Sequence, residues 1–296
     1  MDLALSEEQT AVRELAREFV AREVAPHAAR WDRAESVDRR IVGKLGALGF
    51  LGLTIPEEYG ASAGDHLAYV LVTEELGRGD SSVRGIVSVS LGLVAKAIVA
   101  WGSEEQKREW LPRLCSGEAV GCFGLTEPGT GSGAANLTTR AVRGGDDYVI
   151  TGSKMFITNG TWADVVLLFA RTGAEPGRRG VSAFLVPADA PGLTRRTVRG
   201  KLGLRGQATA ELVLDGVRVP AAARVADESS VAKLYASEAA VRCANNALQV
   251  FGGYGYIDEC PVGKLLRDAR VMTLYEGTSQ IHKLLIGRAL TGVSTF

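Results

Sequence analysis

The spacing of apolar positions changes twice along the chain. From Ser6 to about Cys115 they recur every three to four residues, the period of helices packed on one face. In SEEQTAVRELAREFVAREV, Val12, Leu15, Phe19 and Val20 form one stripe. Ser6 is placed to cap its start, and Glu7 and Glu8 suit the positive end of a helix. A second helix is expected from Arg39 to about Leu48, ending at Gly49, and LGLTIPEEYG then reads as a buried extended piece and a turn. Helices follow over Asp65–Leu76 and Ser82–Ala100. The latter is apolar almost all round and is therefore expected inside the protein. SEEQKREWLPRL, capped at Ser103, reads as an amphipathic helix closed by Pro112 and the Ser116-Gly117 turn.

From about Ala119 to Pro220 the period falls to two, with β-branched residues alternating between Gly and Asp turns, as in DDYVITGSKMFIT, DVVLLFART, GVSAFLVP and TAELVLDGVRVP. Strands in close succession without intervening helices predict an antiparallel sandwich or barrel. Near Ala221 helical spacing returns in an Ala-rich segment, broken by GGYGY and resumed in PVGKLLRDARVMTLY and TSQIHKLLIGRAL. The expected class is α+β: an N-terminal helical domain over 1–117, a middle antiparallel β-domain over 118–221 and a shortened C-terminal helical domain over 222–296.

Composition narrows the function. Lys plus Arg equals Asp plus Glu, 34 against 34, which argues against a general polyanion or nucleic-acid binder. Four cysteines form no C-x-x-C pair and only three histidines are present, so a metal site or a His-based triad is poorly supplied and no metal is expected. The longest uncharged apolar stretch, Gly85–Ala95, is too short to span a bilayer, and the start, MDLALSEE, is too acidic for a signal peptide. Together these features predict a cytoplasmic protein without a membrane span.

Four segments could carry chemistry, and each also has a plain structural reading. LTEPGTGSG (125–133) can bring backbone N–H groups close to a ligand, or can be a sharp turn between strands. It is not G-x-G-x-x-G and no βαβ unit surrounds it, which disfavours a nicotinamide fold. KMFITNG (154–160) places an aromatic, a hydroxyl and an amide at a strand end, or is an ordinary strand entering an Asn-Gly turn. LYEGTSQ (274–280) puts Glu276 at a helix start, where Thr273-x-x-Glu276 also matches a capping box. FGGYG (251–255) allows close backbone approach, or is a helix C-cap.

In this order GCFGLTEPGTGSG, GSKMFITNG, QVFGGYGY and LLRDARVMTLYEGTSQI resemble the acyl-CoA dehydrogenase family. KLGLRGQATAELVLDGVRVP, LGLTIPEEYG and GSEEQKREWLPRLCSGEA are similar too, so the resemblance covers about residues 4–292. It implies FAD between the β-domain and the C-terminal helices, and removal of two hydrogens across Cα–Cβ of an acyl-CoA or acyl-carrier thioester. It further implies passage of electrons to an electron-transfer flavoprotein or another acceptor, and a homo-oligomer or a hetero-oligomer with a related subunit.

By that match Glu276 is the base that takes the α-proton, and its backbone N–H helps hold the thioester carbonyl. Phe123, Leu125 and Thr126 line the isoalloxazine ring. Ser132 belongs to a loop facing flavin phosphate and substrate, and Tyr275 faces the substrate. Phe156 stands where the family often has Trp against the flavin, so it can stack but lacks an indole donor. Thr158 brings a hydroxyl near flavin N5. Thr278 and Gln280 touch the adenine side, while Gln249 and Gly253 reach the FAD of a neighbouring subunit. Arg84 and Ser88, in DSSVRGIVSVS, match an Arg and a Ser that bind the distal carboxylate in the glutaryl-CoA branch. The alternative for Arg84 is pairing with Asp80 or with helix-terminal groups.

The sequence departs from the family pattern in two places. Gly133 stands where an Asp is common after the loop serine. In addition, VPAAARVAD runs straight into ESSVAKLYASEAA, which implies that about 90 residues are absent near Val225–Glu228, a substantial share of a helical core. The loss keeps a second reading open: a non-catalytic or partner-dependent subunit without a complete substrate pocket.

Overall fold

Ser6 opens the first helix as its spacing requires. Its hydroxyl accepts from the Gln9 N–H at 3.1 Å, and Gln9 Oε1 accepts from the Ser6 N–H at 3.0 Å. The computed structural model describes residues 4–61, 64–131, 136–173, 180–225, 245, 247–258, 260–271, 274, 278 and 280. Helix α1 (Glu7–Phe19) continues through a widened π segment, Val20–Val24, into α2 (Ala25–Ala34). Ala16, Phe19, Val20 and Val24 are buried. Leu15, expected on the same stripe, is 40% exposed, because the inward row runs Val12–Ala16–Phe19 and leaves Leu15 on its flank.

Helices α3 (Ile41–Ala47), α4 (His66–Gly79), α5 (Ser81–Val89), α6 (Lys96–Trp101) and α7 (Glu104–Ser116) complete the first layer. Three expectations change here. LGLTIPEEYG forms turns and a short 3-10 helix, Glu57–Tyr59, rather than an extended strand, though Leu51, Leu53, Ile55 and Tyr59 are buried as expected. Pro112 lies inside α7 instead of closing it, and the helix ends where Gly117 adopts a φ of 77°, open to a residue without Cβ. Finally, α5 runs through a π segment, Ser90–Ala95, into α6, giving a continuous helical stretch Ser81–Trp101 of 21 residues, long and apolar enough to cross a membrane by length and composition. The shorter Gly85–Ala95 stretch had hidden this. Within the protein the helix is a core element, with Val83, Ile86, Val87, Leu91, Val94, Ala95 and Ile98 all buried.

The middle region is one hydrogen-bonded network of eight strands. Its strands are β1 (Gly121–Gly124), β2 (Arg140–Gly144), β3 (Asp147–Ile157), β4 (Val165–Arg171), β5 (Val181–Pro187), β6 (Leu193–Thr197), β7 (Ala210–Pro220) and β8 (Arg224–Val225). The order is β6-β7-β3-β2-β4-β5-β8, with β1 also paired to β4. Most ladders are antiparallel, as expected, while β1 and β2 each run parallel to β4. The run VVLLFA in β4 has no polar face because both faces are covered. Val165 and Leu167 join the helical core, and Val166, Leu168 and Ala170 join a second core on the opposite face with Phe184, Leu212 and Val217.

The chain divides into two compact units, residues 1–199 with 205–227, and 200–204 with 228–296. In the second, residues 247–251 are helical, Gly252 turns at a φ of 56°, and helix α8 spans Pro261–Val271. Asp268 is its anchor: its carboxylate accepts from the Leu204 N–H and from Lys264 Nζ, both at 2.7 Å.

Candidate active site

The end of β1 and the middle of β3 are joined by a buried ion pair. β3 alternates inward and outward residues, and this alternation turns Lys154 into the protein, fully removed from water. A buried ammonium needs an anion and acceptors. Lys154 Nζ finds Glu127 Oε1 at 2.8 Å and the Leu125 carbonyl at 3.1 Å. The Glu127 carboxylate also accepts from Thr138 N–H at 2.6 Å, Thr138 Oγ1 at 2.7 Å and Thr139 N–H at 2.9 Å. Burial alone would raise its pKa, but the bonds from Lys154, Thr139 and Thr138 outweigh that and hold it at about 2. Burial pushes the Lys154 pKa down, against the pull of Glu127. The direction that governs the site is the downward one at Glu127, whose anion is held by four donors.

This pair sets Leu125 and Thr126 alongside Met155, whose N–H donates to the Thr126 carbonyl at 2.8 Å. Phe123, two residues earlier, lies against Phe169 with ring centroids 5.0 Å apart. The β3–β7 ladder then slips between Lys154 and Ile157, a bulge that turns Phe156 outward. Phe156 is 63% exposed at a φ of 59°. A left-handed conformation costs a non-glycine residue about 1–2 kcal/mol, and an exposed ring does not regain that by burial.

Thr158 and Asn159 follow. Thr158 Oγ1 donates to Gln207 Oε1 at 3.3 Å. Asn159 is fully buried at a φ of 63°, and its Nδ2 donates to the carbonyls of Gly121 at 3.2 Å and Ile86 at 3.4 Å. The Asn-Gly pair is thus more than a hairpin turn, since one side chain ties the end of β3 to β1 and α5. On α5, Arg84 Nη1 donates to Ser88 Oγ at 3.0 Å, and both residues are half-buried. Within the first unit the ion pair thus ties Leu125 and Thr126 to β3, Phe156 and Thr158 follow at that strand's end, and Arg84 and Ser88 sit on the helix that Asn159 grips.

The remaining expected site residues belong to the second unit or lie outside the described residues. Gln249 and Gly253 are exposed in the second unit, where Thr278 and Gln280 also lie. Ser132, Tyr275 and Glu276, with the capping box at Thr273, are outside the described residues. Lys154, Glu127 and Gln207 were missed in the sequence. A lysine at an inward position of an alternating strand was the available signal, because it demands a buried acid. Gln207 gives no such signal.

The half-exposed apolar side chains of Phe123, Leu125 and Met155, an outward aromatic and the hydroxyls of Thr126 and Thr158 suit a flat, mostly apolar ring with a polar edge, and FAD fits that description. Family models for the N-terminal, middle and C-terminal domains of acyl-CoA dehydrogenases match residues 6–118, 122–217 and 199–291. The chain belongs to the acyl-CoA dehydrogenase family. A probable acyl-CoA dehydrogenase of Bacillus subtilis is 35% identical, with 98% of this chain and 100% of the relative covered. A glutaryl-CoA dehydrogenase from Mycobacterium smegmatis in complex with FADH2 is 31% identical with a TM-score of 0.92, covering 99% of this chain and 96% of that one. Butyryl-CoA dehydrogenase from Megasphaera elsdenii is 29% identical with a TM-score of 0.93, covering 98% and 100%.

The alignment to the Bacillus relative runs over 380 positions, more than the 296 residues of this acyl-CoA dehydrogenase family member, so the relative carries stretches without a counterpart here. That agrees with the deficit of about 90 residues expected from the sequence, a loss large enough to change a helical core. The C-terminal match nevertheless reaches residue 291, and the reading as a non-catalytic subunit is not favoured.

Proposed function

We propose that the protein is an FAD-dependent acyl-CoA dehydrogenase that introduces a double bond between Cα and Cβ of an acyl-CoA or acyl-carrier thioester. The observation that carries this reading is the buried Lys154–Glu127 pair, which ties Leu125 and Thr126 to the strand that leads into Phe156 and Thr158, in a chain matched by all three family models. FAD, when bound, supplies the hydride acceptor. Leu125, Thr126, Phe123 and Phe156 would hold the ring by apolar contact, and Thr158 would offer it a hydroxyl. Thr278 and Gln280 take the adenine side, Gln249 and Gly253 reach the FAD of a second subunit, and Ser132 serves the phosphate and substrate loop.

Glu276 takes the α-proton. Substrate burial must strip water from its carboxylate, which raises its pKa toward that of the weak carbon acid. Its backbone N–H holds the thioester oxygen where negative charge develops, and Tyr275 borders the acyl chain. Arg84, held by Ser88, offers a charged donor to a distal carboxylate, which favours a dicarboxylic acyl group as one substrate class. The protein works in the cytoplasm, as an oligomer, and passes electrons to an electron-transfer flavoprotein or similar acceptor.

The purified protein should be yellow, and Glu276→Gln should retain the flavin spectrum while turnover is abolished. Turnover preserved in that variant would remove Glu276 from the role of base. A colourless wild type that gains no flavin spectrum on adding FAD would overturn the proposal as a whole.

A further inference from the structure

Behind Thr158 stands a side chain that no motif explains. Gln207 is 6% exposed, and the two residues before it are held to the helical layer. Arg205 Nη2 pairs with Glu35 Oε1 at 2.7 Å, and the Gly206 carbonyl accepts from the Val37 N–H at 2.9 Å, so the loop is tied to the helical layer just past the end of α2. The amide end of Gln207 lies over Gly85 of α5. A Cβ at Gly85 would stand 2.0 Å from Gln207 Nε2, so the glutamine occupies space that only a glycine leaves. With Nε2 over the helix, Oε1 accepts the Thr158 hydroxyl at 3.3 Å.

A threonine hydroxyl has one proton and two lone pairs. Once the proton is committed to Gln207, the Thr158 oxygen can only accept on its remaining, half-exposed side. We propose that Gln207 is a positioning residue that fixes Thr158 as a hydrogen-bond acceptor toward the bound cofactor, and so favours the reduced ring, which carries an N–H, over the oxidised ring, which carries a bare nitrogen there. The inference rests on the proposed placement of Thr158 at the flavin edge. No electron or proton is exchanged with Gln207; it sets only the direction of one hydrogen bond.

The test compares the relative affinity for reduced and oxidised flavin in the flavin-loaded protein, read as a redox potential, with the visible absorbance spectrum. Gln207→Leu frees the Thr158 proton to donate. It should weaken the preference for reduced flavin about fivefold, the worth of one ordinary hydrogen bond, or about 20 mV downward for a two-electron couple. Gly85→Ala should act in the same direction without touching Gln207, because its methyl displaces the amide while alanine is otherwise favoured in a helix. Gln207→Glu keeps the acceptor and should stay on the wild-type side of Gln207→Leu. Thr158→Val separates the two claims. If Thr158→Val shifts the potential or spectrum and neither Gln207→Leu nor Gly85→Ala does, the inference about Gln207 is overturned. If Thr158→Val leaves both readouts unchanged, Thr158 does not face the flavin, and the underlying placement fails with it.

Discussion

Lys154 Nζ lies 2.8 Å from Glu127 Oε1, with side-chain exposures of 0% and 2%, and the pair joins the two chain segments that face the candidate flavin site. A charge pair this deep gains its stability from being complete. Removing one partner leaves the other charged, buried and unpaired, the costly case for buried ions. Lys154→Met should therefore destabilise the protein by about 3–5 kcal/mol, measured by urea unfolding at neutral pH. Because the Leu125 carbonyl also loses its donor, the variant should release FAD at lower denaturant than it unfolds.

Acid should act on the same pair. The Glu127 carboxyl, ordinarily near 4.5, is held at about 2 in the folded protein. A depressed carboxyl adds stability above its unfolded pKa, and that stability disappears as pH falls through the folded value. The urea midpoint of the wild type should drop between about pH 4.5 and about pH 2, through proton uptake at this site. In Glu127→Gln, less stable throughout, the slope over that window should be shallower, and an equal slope would show that other carboxyls dominate.

Phe156 gives the opposite sign. Its φ of 59° suits glycine, and its ring is mostly in solvent. Phe156→Gly should raise the stability of the flavin-free protein by about 1 kcal/mol by relieving the left-handed strain. The same change should weaken FAD binding, measured by fluorescence titration. A variant both less stable and unchanged in flavin affinity would contradict a functional origin for the strain.

The cysteines offer a chemical probe. Burial raises the Cys115 thiol to about 11 and the Cys122 thiol to about 12, so neither forms appreciable thiolate at neutral pH. Alkylation followed by peptide mass spectrometry should leave both unmodified in the native protein and modify both in urea.

What the sequence made legible follows its periodicities. The capped helices at Ser6 and Ser103 were readable because their caps are local. The change to period two located the sheet region, but not its topology. The parallel pairing of β1 with β4 joins segments more than forty residues apart, and nothing local in GCFG specifies it. LGLTIPEEYG misled because burial and extension look alike in a short apolar run. In the site, Phe156 and Thr158 were reached through the family motif. Gln207 was not, because its meaning depends on the space over Gly85, which exists only after α5 and the 205–207 loop meet. Arg84 and Ser88 were expected each to meet a distal carboxylate, and the hydrogen bond between them was not legible in the sequence.

The two-sided burial of β4 has a consequence for how the first unit comes apart. One strand contributes alternate side chains to both the helical core and the sheet core, so neither layer can melt without stripping a face of the same strand. Helices and sheet should share one calorimetric transition, and protease should find no stable fragment by cutting between α7 and β1. The boundary that the chain shows between helical and strand spacing is therefore a border in sequence only, and the energetic border lies elsewhere.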